Sequence, residues 1–196
     1  MKKKDLEIIL ESLEIFHSPD EKLEQYPTPA PLASELLIFA YLKGDLKGVV
    51  YDLGCGTGIL AVGAKLLGAK KVVGFDIDPV AIDIARKNAE KLGLDIEFHV
   101  VNIEDVEGRA DTVVMNPPFG IKRRHADRIF LKKALEIGNV IYTIHSAGSE
   151  DFVRKFVSPA RITDFMKLSI PMKKIYKFHR KDVRHINVEV YRIERV

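Results

Sequence analysis

Seven residues, Asp52-Leu53-Gly54-Cys55-Gly56-Thr57-Gly58, constrain this chain more than any others. They close the β-branched run Val49 to Leu53 and open a helical stretch near residues 58 to 67. Glycines at alternate positions let a backbone turn sharply from strand to helix and pass close to a ligand. A dinucleotide site would carry its third glycine one residue later, as G-x-G-x-x-G, to seat a pyrophosphate on the helix N-terminus. The spacing here is G-x-G-x-G, led by Asp52. An acid at that place repels a pyrophosphate and suits a ligand with an ammonium and a sulfonium group, as S-adenosylmethionine has.

The loop sits in a repeating pattern. Leu6, Ile9, Leu10, Leu13 and Phe16 predict an amphipathic helix over residues 3 to 16. Pro19, Pro27, Pro29 and Pro31 hold the next stretch out of a helix until Pro31 opens a second one, to about Leu42. Strands are expected at Val49 to Leu53, Val72 to Phe75, Ile96 to Val101, Thr112 to Met115 and Val140 to Ile144. Helices are expected between them near 58 to 67, 79 to 92 and 127 to 137. This alternation predicts a parallel sheet covered on both faces. Residues 161 to 170 and 186 to 193 alternate more strictly, as an antiparallel pair at one edge would.

A chain of 196 residues, 46% apolar, is the size of one domain. Its single cysteine, Cys55, cannot form an internal disulfide and fits a reducing compartment. With no histidine near it in sequence, Cys55 reads as a small loop filler rather than a nucleophile. The longest apolar run, Leu36 to Leu42, is too short to span a bilayer, and Asp5, Glu7, Glu11 and Glu14 interrupt any signal peptide after Lys2 to Lys4. A cytoplasmic protein without membrane contact is expected. The histidines show no metal-ligand spacing, so no metal is expected.

The second strand ends in Gly74-Phe75-Asp76-Ile77-Asp78, with Asp76 22 positions beyond Gly54. A carboxylate there can accept hydrogen bonds from the ribose hydroxyls of an adenosyl group. After the third strand, Asn102 can read an adenine amino group through its amide oxygen and Ile103 can cover the ring, and equally the two fit a turn residue and a core residue.

The fourth strand breaks into Asn116-Pro117-Pro118-Phe119. Two prolines fix φ and remove two backbone donors, leaving a cluster rich in acceptors. The Asn116 oxygen and the Pro117 carbonyl can hold both hydrogens of an amino group while Phe119 stacks on the ring that bears it. The lone pair of a planar NH2 is delocalised. Holding both hydrogens turns it toward an electrophilic methyl, so positioning and electrostatics carry the rate.

Charge divides at the same point. Residues 1 to 115 hold 13 Lys+Arg against 20 Asp+Glu, a net of −7, whereas residues 116 to 196 hold 18 against 8, a net of +10. Lys122, Arg123 and Arg124 follow the tetrapeptide at the expected mouth of the site, and a second basic run includes Lys177, Phe178, His179 and Arg180. Both suit the phosphates and bases of RNA.

Gln25-Tyr26-Pro27-Thr28, Asp52 to Gly58, Asp76, Asn116 to Phe119 and Tyr176-Lys177-Phe178-His179 together resemble the small methyltransferase-like family that makes N6-methyladenosine in small-subunit ribosomal RNA. The resemblance implies a Rossmann-like class I fold: a mostly parallel seven-stranded sheet with helices on both faces. Residues 1–45 would form an N-terminal helical extension or lid, and residues 46–196 the methyltransferase domain. It places Gln25, Thr28, Gly54, Thr57, Ile59, Asp76, Asn102 and Ile103 around S-adenosylmethionine, beside Asp52, Gly56 and Gly58. Many relatives carry an acid where this chain has Asn102, which implies weaker cofactor affinity. The family also implies a small zinc-binding activator protein docking along a sheet edge, for which the strand at Ile96 to Val101 is suited. A protein glutamine N5-methyltransferase would use the same acceptor cluster. Phe119, where that family usually has Tyr, and the basic rim count against it. A nucleotide-dependent oxidoreductase is disfavoured by the glycine spacing, and a non-catalytic RNA-binding module would not need Asn116.

Overall fold

The computed structural model describes residues 1–16, 24–119, 126–173 and 183–196. In chain order the elements are α1 (Lys3–Glu11), α2 (Ala30–Lys43), β1 (Val49–Leu53), α3 (Ile59–Leu66), β2 (Lys71–Asp76), α4 (Pro79–Lys91) and β3 (Glu97–Val100). A single 3-10 turn at Ile103–Asp105 leads to β4 (Ala110–Met115), α5 (Ala126–Ile137), β5 (Gly138–Ser146), α6 (Glu150–Val157), β6 (Arg161–Lys173) and β7 (Val183–Glu194). The seven strands form one sheet in the order β3-β2-β1-β4-β5-β7-β6. β7 runs antiparallel to both of its neighbours and the other pairs are parallel.

Side chains alternate across this sheet with a period of two. Val50, Val72 and Val114 face one side, where Leu6 and Leu10 of α1, Leu36 and Leu37 of α2, Leu60 of α3 and Ile82 of α4 pack on them. Leu53, Val73, Val113 and Met115 face the other, under Leu131 and Ala134 of α5 and Val153 and Val157 of α6. Both faces are covered, so the strands read as near-continuous apolar runs. Local chemistry sets the helix ends. Asp78 caps α4 by accepting from Val80 N at 2.9 Å, Pro79 stands in its first turn, and Gly44 closes α2 with φ +82°.

The structure departs from the sequence expectation in two elements. The first helix ends at Glu11 and not at residue 16. Ser12 turns back to donate through Oγ to Ile9 O at 2.7 Å, and the chain beyond it is claimed by α4. Glu14 N donates to Asn88 Oδ1 at 2.8 Å, and Asn88 Nδ2 donates to Glu14 O at 2.9 Å. The helix α6 had no counterpart in the expected order. Eight residues make a marginal helix on their own. α6 is held by its buried Val153 and Val157 and by Glu189 of β7, which accepts from Gly148 N and Ser149 N, each at 2.9 Å.

Candidate active site at the carboxyl ends of the strands

β1 and β4 pair with Leu53 beside Met115, so the chain leaves the sheet twice at one place. One exit is the glycine loop and the other is Asn116-Pro117-Pro118-Phe119. β2 lies on the far side of β1, so strand order reverses between β1 and β4, and open α/β sheets bind ligands in the crevice at such a point. A cleft of about 1090 Å³, counted out to its open mouth, lies there. Its walls are Gly54, Gly56, Phe75, Asp76, Ile77, Val101, Asn102, Ile103, Asn116 and Pro118, with Phe16, Gln25 and Tyr26 from the N-terminal segment and Ile129 and Phe130 from α5.

The glycine loop is fixed from below. Gly54 N and Cys55 N both donate to Phe75 O, at 2.8 and 2.9 Å. Gly54 has φ +70°, and a Cβ on it would stand 2.8 Å from the Phe130 ring. Gly58 opens α3 with φ +86°, and a Cβ there would meet the Cβ of Ala85 at 3.0 Å. Asp76 ties the loop to the end of β2: Oδ2 accepts from Gly56 N at 2.8 Å and Oδ1 from Asp78 N at 3.0 Å. Burial raises the Asp76 carboxyl above its ordinary range, and these N–H groups oppose the rise. The carboxylate has about four acceptor sites, and with the Gly56, Asp78 and Ile77 N–H groups facing it one remains for a hydroxyl.

Asp52 sits beneath the loop rather than on the wall of the cleft, 1% exposed. Its Oδ2 accepts from Ala61 N, in the first turn of α3, at 2.9 Å. Its Oδ1 is buried without a partner. Burial pushes its pKa up to about 8, the Ala61 N–H opposes this, and the Asp76 charge adds to it. The acid expected to face the ligand instead supports the loop from below, because burial disfavours its charged form and Ala61 N takes one of its oxygens. Burial, with Asp52 and Asp76 adding to it, raises the Cys55 thiol well above its usual range, as befits a filler rather than a nucleophile. Thr57 and Ile59 likewise lie off the wall, and Thr57 O accepts from Asn88 Nδ2 at 3.0 Å.

Three expected ligand contacts have protein partners instead. Gln25 is on the wall, but its Nε2 donates to Asp78 Oδ2 at 2.6 Å. Asn102 is on the wall with Ile103, and its Oδ1 accepts from Glu104 N at 3.1 Å, which caps the 3-10 turn. Thr28 is off the wall, and its Oγ1 accepts from Asn116 Nδ2 at 2.9 Å. Asn116 Oδ1 is buried without a hydrogen-bond donor. Pro118 reaches the cleft, Pro117 is buried beside it, and Phe119 packs half-buried against the core on the α1 to α4 side. Lys122, Arg123, Arg124, Lys177, Phe178, His179 and Arg180 lie outside the described residues. Phe16, Ile129 and Phe130 fall within the stretches 3 to 16 and 127 to 137 that the sequence marks only as helical. Nothing in their spacing distinguishes a residue that meets the core from one that meets a ligand.

A glycine cradle, a pair of buried acids and a mixed apolar and amide wall fit a cationic nucleoside such as S-adenosylmethionine. Asp76 on the wall is the acid that can accept the hydroxyls of such a group, and Asn116, on the same wall, keeps an unpartnered Oδ1. Among the described residues no cluster of His, Cys, Asp and Glu could hold a metal ion, and no helix is long and apolar enough to cross a membrane.

One reversed strand in a seven-stranded sheet, with a glycine loop after β1 and acids closing β2, is the construction of the class I S-adenosylmethionine-dependent methyltransferases. Magnesium protoporphyrin IX methyltransferase from Synechocystis, solved with the cofactor bound, shares the fold at 17% identity, with a TM-score of 0.67 over 84% of this chain and 78% of that one. A crystal structure from Pyrococcus horikoshii is 42% identical, with a TM-score of 0.92 over 100% of this chain and 98% of its own. The family model described as ribosomal protein L11 methyltransferase (PrmA) matches residues 36–117. The rRNA N(6)-adenosine-methyltransferase METTL5 of Danio rerio is 35% identical over 98% of this chain and 98% of its own length. With that agreement running from end to end, the chain belongs to the METTL5 family of rRNA N(6)-adenosine-methyltransferases.

Proposed function

We propose that this chain transfers a methyl group from S-adenosylmethionine to N6 of an adenine in structured ribosomal RNA, and that the RNA is that of the small subunit. The observation that carries the reading is Asn116, whose Oδ1 is buried beside the cleft with no donor of its own. An acceptor withheld from water costs about 1–3 kcal/mol unless a donor arrives. The amino group of a flipped-out adenine is such a donor.

Bound S-adenosylmethionine supplies a methyl group made electrophilic by its sulfonium. Gly54 to Gly58 and Asp76 would hold the cofactor, Asp52 supporting the loop from below, with Asn102 and Ile103 at its adenine. Asn116 Oδ1 and Pro117 O would accept the two hydrogens of the target amine and turn its lone pair toward the methyl, while Phe119 offers its exposed part to the base. The amine becomes acidic only as it is methylated, so this chain need only orient it and exclude water. The L11 methyltransferase match stops at residue 117, before the basic run that starts at Lys122, and speaks for the cofactor half rather than the substrate.

The same reading takes residues 1–45 as a cover over the domain of residues 46–196. Anchors at Glu14, Gln25 and Thr28 to Asn88, Asp78 and Asn116 support it. It also takes β3 as the docking edge for a small zinc-binding activator. β3 is the edge strand at the parallel end of the sheet, and exposed Ile77, Val80 and Val100 lie on it and on the turn and helix after β2. A cytoplasmic setting suits the buried thiol of Cys55. Labelled methyl transfer to total RNA and, in parallel, to total protein from a strain lacking this chain, with the RNA digested to nucleosides, tests the activity. Label in N6-methyladenosine is expected; label only in protein would transfer the assignment to an amide substrate.

A further inference from the structure

The carboxamide of Asn116 has a donor end and an acceptor end of nearly the same shape, and its last side-chain torsion is soft and roughly two-fold. Only one orientation can serve an amino group. Reversed, the amide would set its own N–H groups against those of the substrate. In the structure Nδ2 is engaged by Thr28 Oγ1 at 2.9 Å, which leaves Oδ1 as the end without a partner. Thr28 comes from 88 residues away in sequence, in the segment before α2, and does not wall the cleft. That segment is moored a second time where Gln25 Nε2 donates to Asp78 Oδ2 at 2.6 Å.

We propose that Thr28 is a positioning residue for methyl transfer: its hydroxyl accepts from Asn116 Nδ2 and so holds Oδ1 toward the target amine. This role stands in place of the cofactor contact that the sequence resemblance implies, and it rests on the reading of Asn116 as the amine acceptor. A substrate N–H donating to Oδ1 and Nδ2 donating to Thr28 polarise one amide in the same sense, so each bond strengthens the other. The gain grows as positive charge develops on the amine nitrogen. It therefore falls on the rate at saturation and not on cofactor binding.

Thr28→Val keeps the shape and removes the hydroxyl, and Thr28→Ser restores it. Both variants would be compared with the wild-type chain in thermal melting, in calorimetric titration with S-adenosylmethionine, and in single-turnover transfer to an unmethylated small-subunit RNA at saturation. The expected result is a rate lowered about tenfold or more in Thr28→Val. Its cofactor Kd should stay within about twofold, and Thr28→Ser should approach the wild-type rate. A weakened cofactor Kd with the saturated rate preserved would make Thr28 a cofactor ligand and overturn the proposal. A Thr28→Val rate equal to or above wild type would overturn it too, the contact then being structural or a latch that must open. Failure of the wild-type chain itself to form N6-methyladenosine would instead remove the proposed function, which separates the two.

Discussion

Asp52 carries two duties at one atom pair. Oδ2 holds the first turn of α3 at Ala61 N, while Oδ1 is buried with no partner, and burial pushes the pKa up to about 8. The unfolded chain releases this proton near 3.8, so between about pH 4 and pH 8 the folded state binds a proton that the unfolded state does not. Stability is therefore lost as pH rises through that window and levels off above it. Asn in this place keeps an acceptor for Ala61 N and has nothing to ionise. Asp52→Asn is expected to melt higher than the wild type by a margin that widens from pH 4 to pH 8, and a margin independent of pH would contradict the burial argument. The places of Asp52, Asp76 and Asn116 at or beside strand ends are legible in sequence because the apolar runs of β1, β2 and β4 end there. Their hydrogen-bond partners were not, since Ala61, Gly56 and Thr28 meet them only after the loops have folded.

Elements were legible where a period of 2 or 3.6 was unbroken. β1 was read to its observed ends, and α3, α4 and α5 to within a residue or two, because buried parallel strands leave continuous apolar runs. The end of α1 was not legible. Leu13 and Phe16 continue its apolar period, yet Leu13 is buried outside the helix and Phe16 walls the cleft, because Asn88 captures the backbone of Glu14 between them. Asn88 also donates to Thr57 O at 3.0 Å, so one buried amide fastens the N-terminal segment to the glycine loop. Asn88→Ala removes all three bonds. At about 1 kcal/mol each the loss is about 3 kcal/mol, or a fall in Tm of about 6–12 °C for a chain of this size. Cofactor affinity should weaken with it as the loop loosens. A melting temperature within about 1 °C of wild type would show that this latch carries no load.

Across the whole molecule, charge and topology follow one division. The part with net −7 supplies the acids of the cleft wall, Glu24, Asp76 and Glu104, and Asp52 beneath the glycine loop, and the part with net +10 begins at Asn116. The sheet brings the two together because β1 and β4 are neighbours though about 60 residues separate them, Leu53 standing beside Met115. The L11 methyltransferase family model matches residues 36–117, nearly all within the acidic part, whereas the METTL5 relative matches both parts. The central claim is that Asn116 supplies the acceptor for the target amine and little else. Asn116→Ala, measured side by side in calorimetric S-adenosylmethionine binding and in single-turnover transfer to RNA, tests it most directly. The account predicts a transfer rate reduced at least about a hundredfold with cofactor affinity nearly unchanged; a variant that binds the cofactor and transfers at the wild-type rate would contradict it.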